Sequence, residues 1–450
     1  MKRIFLSIIA ISIAAVVSVK AQQPVYTLDQ ILDAALKNNV AVSTARHNIE
    51  KAELQRKEAL TKYFPSVSGN LFWFNASDGL GKLNFNLSKY IPASVAEVLA
   101  GILTPEELAM LSRPLSYTLM KDGVVAGVNA VQPIFAGGQI VYGNKLAKVG
   151  EDASRLQLSL SENQVTKTAE QYFWQVVTLE EKVKTLDEAD RLLADIYKDV
   201  KVAIDAGVTL RNDLLQVQLR QNELESQRLQ LNNGIKLVRM LLAQYCGLDS
   251  TAFRLSYSTD VPSPLTVHSD HASALSATAE YQLLNKQVEA AELQRKMEIG
   301  KNMPTVALGI GYSYNNLLFN DKHTSPMVFA TVNVPITDWW SGSSAIKRKQ
   351  IERQIAEEQL ADNSQLLTIR MQKAWNDLEE AYLQISIANR SVEQAKENLR
   401  IKRNYYNAGT STMSDLLEAQ LLEQQALNRH IDAIADYHSR LLDYRQATGQ

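Results

Sequence analysis

Residues 151–206, 208–233, 343–408 and 410–448 contain neither proline nor glycine and are rich in Leu, Ala, Glu, Gln, Lys and Arg, the strong helix formers. Proline removes a backbone donor and clashes inside a helix, so these stretches predict long helices. In the first, apolar positions recur alternately three and four apart at Val176, Leu179, Val183, Leu186, Leu193, Tyr197, Val200 and Ile204, with Asp190 as a polar interruption. A second stripe runs alongside through Ala189, Leu192, Ile196 and Ala203. Two stripes predict two helical neighbours, as in a ring or sheet of helices, although periodicity alone also allows an ordinary bundle core. A helix of 66 residues would run roughly 100 Å, far longer than a globular core needs.

Elsewhere the period changes to two. Val306, Leu308, Ile310, Tyr312 and Tyr314 alternate with Thr305, Ala307, Gly309, Gly311 and Ser313, and Val328, Ala330, Val332 and Val334 alternate with Phe329, Thr331 and Asn333. A strand near Val67–Asn75 and another at Val124–Gln132, with Val124, Ala126, Val128 and Ala130 facing one way, complete four predicted strands. Each is about ten residues, the length that crosses a bilayer at a barrel tilt. An apolar face backed by small or polar residues suits lipid outside and water inside. Phe72, Trp73, Phe74, Tyr312, Tyr314, Trp339 and Trp340 cluster at the strand edges, where interfacial girdles form. An ordinary soluble hairpin pair is the competing reading.

The chain repeats itself. "AGVTLRNDLLQVQL" from Ala206 and "AGTSTMSDLLEAQL" from Ala408 align without a gap at an offset of 202 and agree at seven of fourteen positions. "AELQRK" occurs at Ala52 and Ala291, an offset of 239, and leads into Pro65 and Pro304; Pro133 and Pro335 pair at 202. Each half therefore reads helix, proline, short strands, proline, long helix, Ala-Gly turn, helix. The first repeat is 22–245, with strand 66–75, an outer loop insertion 76–122, strand 123–133, long helix 139–205, tip turn 206–210 and helix 211–245. A linker follows at 246–271. The second repeat, 272–450, has strand 305–314, loop 315–326, strand 327–335, long helix 341–407, tip turn 408–412 and helix 413–447. The offsets differ by 37 residues, which locates the insertion. Within it, "SDGLGKLNFNLSKY" reads as loop and "VAEVLAGILTPEELAMLSR" as one or two short helices; Tyr90–Arg113 is expected to form an external lid.

Composition narrows the class. Lys2 and Arg3, the apolar run Ile4 to Val19 and the small-x-small site Val19-Lys20-Ala21 predict a signal peptide over 1–21. Its removal leaves 44 basic against 49 acidic residues, which gives no electrostatic footprint for nucleic acid. No other segment has roughly 18 uninterrupted apolar residues, so no helical membrane span is expected. Cys246 is the only cysteine, so neither an internal disulfide nor a thiolate cluster can form; it is expected to pack as a small apolar residue at a helix end. The six histidines lack metal-helix spacing, and His268-x-x-His271 reads as exposed loop. No phosphate-cradling glycine loop, nucleophile elbow or acid-base-nucleophile set is visible, so neither an enzyme nor a bound cofactor is expected.

Four strands cannot close a barrel, and an open edge in hydrocarbon leaves backbone groups unpaired at several kcal/mol each. Oligomerisation is therefore expected. Twofold symmetry would give eight strands and threefold twelve, and only the larger leaves an interior wide enough for solutes.

On the duplicated architecture, the paired prolines and the doubled turn, with "YYNAGTSTMSDLLEAQLLEQQ" the closer match, the chain resembles the TolC-like outer-membrane efflux protein family. The resemblance implies a mainly α homotrimer in a Gram-negative outer membrane, with a 12-stranded transmembrane β-barrel continued by a coiled-coil α-barrel tunnel across the periplasm. It implies a passive exit duct for efflux or type I secretion, served by a periplasmic adaptor and a proton-driven or ATP-driven inner-membrane pump. The tip turns, which open like an iris and dock the adaptor, carry over to Ala206, Gly207, Asp213, Leu214 and Leu215, and to Ala408, Gly409, Thr410, Ser411, Asp415, Leu416 and Leu417. Residues 246–271 correspond to a mid-tunnel belt. Gly207 and Gly409 sit where a helix ends in a left-handed residue, Thr412 with Asp415 resembles a capping box, and Leu214–Leu215 and Leu416–Leu417 would seat the returning helices. Asp205 and Asp415 are candidate pore-gate carboxylates, with simple capping as the alternative. A structural or adhesive surface protein and a porin-like uptake channel are the competing functional classes.

Overall fold

The computed structural model describes residues 24–77, 81–86, 89–119, 122–258, 260–316 and 322–450; the signal-peptide reading over 1–21 lies outside them. In chain order the first elements are β1 (Val25–Thr27), α1 (Leu28–Asn38), α2 (Val40–Thr61), β2 (Ser66–Asn75), β3 (Gly81–Phe85), α3 (Ala93–Ile102), α4 (Pro105–Leu111), β4 (Leu115–Leu119) and β5 (Asp122–Ala136). Then come α5 (Gln139–Asp205), α6 (Arg211–Cys246), β6 (Arg254–Ser256), α7 (His271–Leu275), α8 (Ala279–Lys301), β7 (Thr305–Asn315), β8 (His323–Asn333), α9 (Asp338–Asn407) and α10 (Met413–Thr448). No described helix is long and apolar enough to cross a membrane. Two compact units are present: Met1–Ala52, Glu151–Val288 and Ala356–Gln450 form one, and Glu53–Gly150 with Glu289–Ile355 the other.

The second unit holds a four-stranded antiparallel sheet in the order β2-β5-β7-β8. Its register pairs Leu71 with Ala126, Val128 with Tyr312, Ala130 with Ile310 and Ile310 with Val328. Because side chains alternate along each strand, these pairings gather Val67, Leu71, Trp73, Val124, Ala126, Val128, Ala130, Leu308, Ile310, Tyr312, Val328 and Val332 on a single face. Most of its large members, among them Leu71, Trp73, Ile310 and Val328, are exposed. The opposite face is mainly small or polar. There Phe329 lies across Gly309, where an added Cβ would come within 2.2 Å of its ring, and Asn129 lies across Gly311. Phe72 and Phe74 also stand on that second face, stacked at 5.9 Å, so of the first aromatic trio only Trp73 joins the apolar face. Trp340 is exposed; the side chain of Trp339 is outside the described part.

Several boundaries depart from the sequence reading. Strand 123–133 extends over Asp122–Ala136, so Pro133 lies inside it instead of ending it. The register shifts between Pro133 and Phe135, leaving Ile134 as an extra residue; a bulge tolerates a residue that cannot donate to the ladder. Strand 327–335 is His323–Asn333, which takes Pro326 into the edge strand and leaves Pro335 beyond its end. Strand 305–314 runs to Asn315, and the helix expected at 341–407 begins at Asp338. Pro65 and Pro304 each stand one residue before a strand. In the insertion 76–122, α3 and α4 lie in the stretch read as one or two short helices, but the stretch read as loop holds β3, which pairs antiparallel with β4, Gly81 with Leu119 through Phe85 with Leu115. Leu83 and Phe85 are too short a run of alternation to stand out among Gly and Asn.

The strand-to-helix junction of this unit is tight. Gly137 has φ 60°, and a Cβ there would lie 2.1 Å from the Gly300 carbonyl oxygen; one on Gly300 would lie 2.3 Å from that of Gly137. Asn144 donates to the Ala59 carbonyl at 2.9 Å, tying α5 to α2.

In the helical unit, the apolar residues fall into three clusters. Ile31, Ala35, Phe173, Val176, Leu242 and Cys246 belong to the first, with Phe253 and Leu255 from the linker. Asn38 and Asn39 donate to the carbonyls of Cys246 and Tyr245, holding α1 on the end of α6, and β1 pairs parallel with β6. Cys246 is fully buried, and burial pushes its thiol up to about 12. The second cluster collects both α5 stripes, Leu186, Leu193 and Val200 with Ala189 and Ile196, against Val217, Leu224, Leu399, Met413 and Leu416. Three partner helices thus cover α5, and the interruption Asp190 receives Arg228 at 3.3 Å. The third packs Trp375, Leu378 and Ile385 of α9 on Tyr437, Leu441 and Tyr444 of α10.

The linker 246–271 is held on the third cluster. Tyr437 donates to the Pro262 carbonyl, and the Tyr444 hydroxyl accepts from the Ser269 amide at 3.0 Å. His268 is exposed but rests edge-on against Trp375, whereas His271 is half-buried beside Tyr444, so only one of the two expected solvent-facing histidines is open. Nearby, Trp174 donates to Glu170 at 3.2 Å and stacks on His438 at 4.1 Å. Burial raises Glu170 to about 7 and lowers His438 to about 4, so both lean to their neutral forms.

Candidate functional site

The two turns end α5 and α9 in the same way. After Asp205, the Gly207 amide donates to the Ile204 carbonyl at 2.9 Å and that of Val208 to Ala203 at 2.8 Å; after Asn407, Gly409 donates to Tyr406 and Thr410 to Tyr405, both at 2.9 Å. These are paired Schellman bonds, which require a left-handed residue. Gly207 and Gly409 supply it at φ 71° and 74°. Ala206 and Ala408 precede them, donating to the last helical turn.

The restarts differ. Thr412 caps α10 with the full reciprocal box: its amide donates to Asp415 at 3.0 Å and its hydroxyl accepts from the Asp415 amide at 3.2 Å. Ser411 and Thr412 hydroxyls donate to the same carboxylate at 3.0 and 2.8 Å, with Lys402 at 3.6 Å. The Thr412 hydrogen bonds, with Ser411 and Lys402 adding to them, hold the Asp415 carboxyl down at about 2, so it is ionised at any physiological pH. At the first turn Leu210 is the N-cap and offers no side-chain bond; Thr209 donates to Asp213 at 2.7 Å instead. Tyr406 reaches the same Asp213 oxygen at 3.5 Å, and Ser414 donates to Gln216 at 3.1 Å, so the two turns touch.

Of the four leucines expected to seat the returning helices, Leu416 is buried and Leu214 and Leu417 pack half-buried on the second cluster, but Leu215 is exposed. The reason is rotation: Leu215 follows Leu214 by about 100°, away from the packed stripe. Asp205 is exposed at the end of α5, and no hydrogen bond or ion pair involves it among the described residues.

One and a half turns farther along α6 stands Arg220, only 8% exposed. It donates from Nε to Gln420 at 3.1 Å, from Nη2 to Gln424 at 2.8 Å and from Nη1 to Glu223 at 2.8 Å, and Gln424 in turn donates to Gln227 at 3.0 Å. This buried polar clasp joins α6 to α10 behind the turns.

The family model described as outer membrane efflux protein matches residues 273–450. The efflux-protein match thus includes the second turn and its capping box, while the first turn lies before it. No curated protein matches the chain in sequence. Solved structures cover both halves: the outer membrane protein VceC of Vibrio cholerae has TM-score 0.72 and 15% identity over 94% of this chain and 96% of its own. The Campylobacter jejuni CmeC outer membrane channel has TM-score 0.72 at 15% identity, over 94% of this chain and 85% of its own. The open-state Neisseria gonorrhoeae MtrE outer membrane channel has TM-score 0.71 at 15% identity, over 94% and 88%. The chain shares the fold of these channels.

Sequence reasoning missed one feature of the turns. Val208 and Leu210 are 79% and 74% exposed, and with Leu215 and Leu219 they form an apolar surface at the first turn. The aligned residues of the second turn are Thr410 and Thr412. That substitution of apolar for polar residues in a turn is visible once the repeats are aligned.

Proposed function

We propose that the protein is the outer-membrane exit duct of a tripartite efflux or type I secretion system, working as a homotrimer. What carries the reading is the open four-stranded sheet, with one continuous exposed apolar face and unpaired edges at β2 and β8. Such a sheet is stable in hydrocarbon only if copies join edge to edge. Three copies supply twelve strands, with lipid against the Leu71, Ile310 and Val328 face and water against the polar one. The family match and the shared channel fold support the same assignment. The long helices, α5 and α9, continue the conduit into the periplasm.

In this reading the turns at 206–210 and 408–412 form the periplasmic tip and meet a periplasmic adaptor, which links the duct to a proton-driven or ATP-driven inner-membrane pump. Exposed Val208 and Leu210 are an apolar contact suited to that partner. Six turns around one tip let weak contacts add as avidity. The direct test is conductance in planar bilayers. Trimers carrying a tip-loosening change should form stable pores; no pore under any such change removes the conduit reading.

The tip also carries acid. Threefold repetition places Asp205 and Asp415 in rings of carboxylates, which favour cations. Asp205→Ala and Asp415→Ala are each expected to weaken cation block of the pore several-fold. Unchanged block in both would remove the gate reading and leave Asp415 only its capping of α10.

A further inference from the structure

The inserted helices have no interior. Neither α3, of ten residues, nor α4, of seven, has a buried residue, and helices this short are marginal in water unless tertiary packing holds them. Yet α3 has a defined apolar side: Val95, Val98, Leu99 and Ile102 recur at i, i+3, i+4 and i+7, one stripe of a helix. Val95, Val98 and Ile102 are exposed, Ile102 at 75%. The acid of α3, Glu97, falls about 200° from Val95 on the helical wheel, opposite the stripe.

Placement and charge narrow what covers it. The β2 and β5 ladder ends at Asn75 paired with Asp122, and the β3 and β4 ladder takes over from Gly81 paired with Leu119, so the insertion rides at the end of the sheet remote from α2 and α5. Residues 93–112 carry Glu97, Glu106 and Glu107 and no Lys or Arg. A helix lying on a lipid surface keeps cations on its polar face for anionic headgroups, and α3 has none.

We propose that the Val95, Val98, Leu99 and Ile102 stripe packs against the same stripe of neighbouring copies, narrowing the outer mouth of the channel with a cap of three insertions. The inference rests on the trimeric reading above. A closed ring brings all three insertions to one rim, continuous with the edge-to-edge contact of the strands, and like stripes are self-complementary while Glu97 faces water.

Cysteine crosslinking tests this in the full exported chain, since Cys246 is buried and unreactive. Ile102→Cys, oxidised on intact cells with copper-phenanthroline, should give a reducible two-chain band, because one disulfide joins two of three copies. Glu97→Cys, on the far side of the helix, should give several-fold less. Native mass is recorded on both variants. Trimers in which both cysteines crosslink equally or not at all would overturn the cap. Trimers whose Ile102 position is instead quenched by a lipid-borne quencher would assign the stripe to the membrane and also overturn it. A single-chain mass would sink the trimeric reading itself, which separates the two failures. Independently, Val98→Asn with Ile102→Asn should raise single-channel conductance at unchanged trimer mass; unchanged conductance would contradict the narrowing.

Discussion

Gly137→Val is expected to abolish assembly of the sheet-bearing unit, with loss of nearly all folded oligomer from mild-detergent extracts. Two effects combine. The residue sits at φ 60°, which a β-branched side chain adopts only with strain, and its Cβ would lie 2.1 Å from the Gly300 carbonyl oxygen. All three atoms it would meet on Gly300 are backbone, so no side chain can swing away. The cost should exceed about 4 kcal/mol, in the range reserved for backbone strain and overpacking. Gly101→Ala is the matched control: nothing lies within 4 Å of a Cβ there, and its yield and thermal midpoint should equal those of the parent protein. If Gly137→Val assembles normally, the close approach of the strand and helix segments is wrong.

The second large effect lies behind the tip. Arg220→Ala removes the donor to Gln420 and Gln424, each at most 5% exposed, and leaves their carbonyl oxygens without that partner. Breaking a buried charged hydrogen-bond network from one side costs about 3 kcal/mol or more. Urea unfolding of the purified protein should show that loss, and limited proteolysis should cut the 206–210 turn faster as α6 loosens from α10. The combination Arg220→Met with Gln420→Leu and Gln424→Met should recover most of the stability, because replacing a whole buried polar set by apolar groups of similar volume is often neutral. A single variant as stable as the parent would show that the clasp contributes nothing net.

The long helices were legible because their signal is long. Absence of Pro and Gly over dozens of residues left the backbone no alternative, and the first long helix runs Gln139–Asp205 as the sequence indicates. The same holds for the sheet faces: alternation over nine or more residues placed Val306, Leu308, Ile310 and Tyr312 together, and the register agrees. Short or compensated signals were hidden. Pro133 reads as a strand end, but a bulge and the lack of a β2 partner beyond Val131 let the strand continue. The β3 and β4 hairpin has too few alternating positions to separate from loop.

At the turns, the glycines and the Thr412 box were readable because local backbone chemistry dictates them. The Arg220 clasp was not, since a single arginine on a helix normally reads as a solvated face. Its burial depends on Gln420 and Gln424 arriving from a helix 200 residues later in the chain. The exposed Val208 and Leu210 likewise break the rule that turns are polar, and only comparison of the two repeats makes them conspicuous.

The most direct test of the central claim is the native mass of the mature protein, purified in mild detergent, together with its strand content. Edge-to-edge closure predicts particles of three chains that retain all four strands of each copy. Monodisperse single chains with the same strand content would mean that the β2 and β8 edges are already satisfied, and would contradict the account.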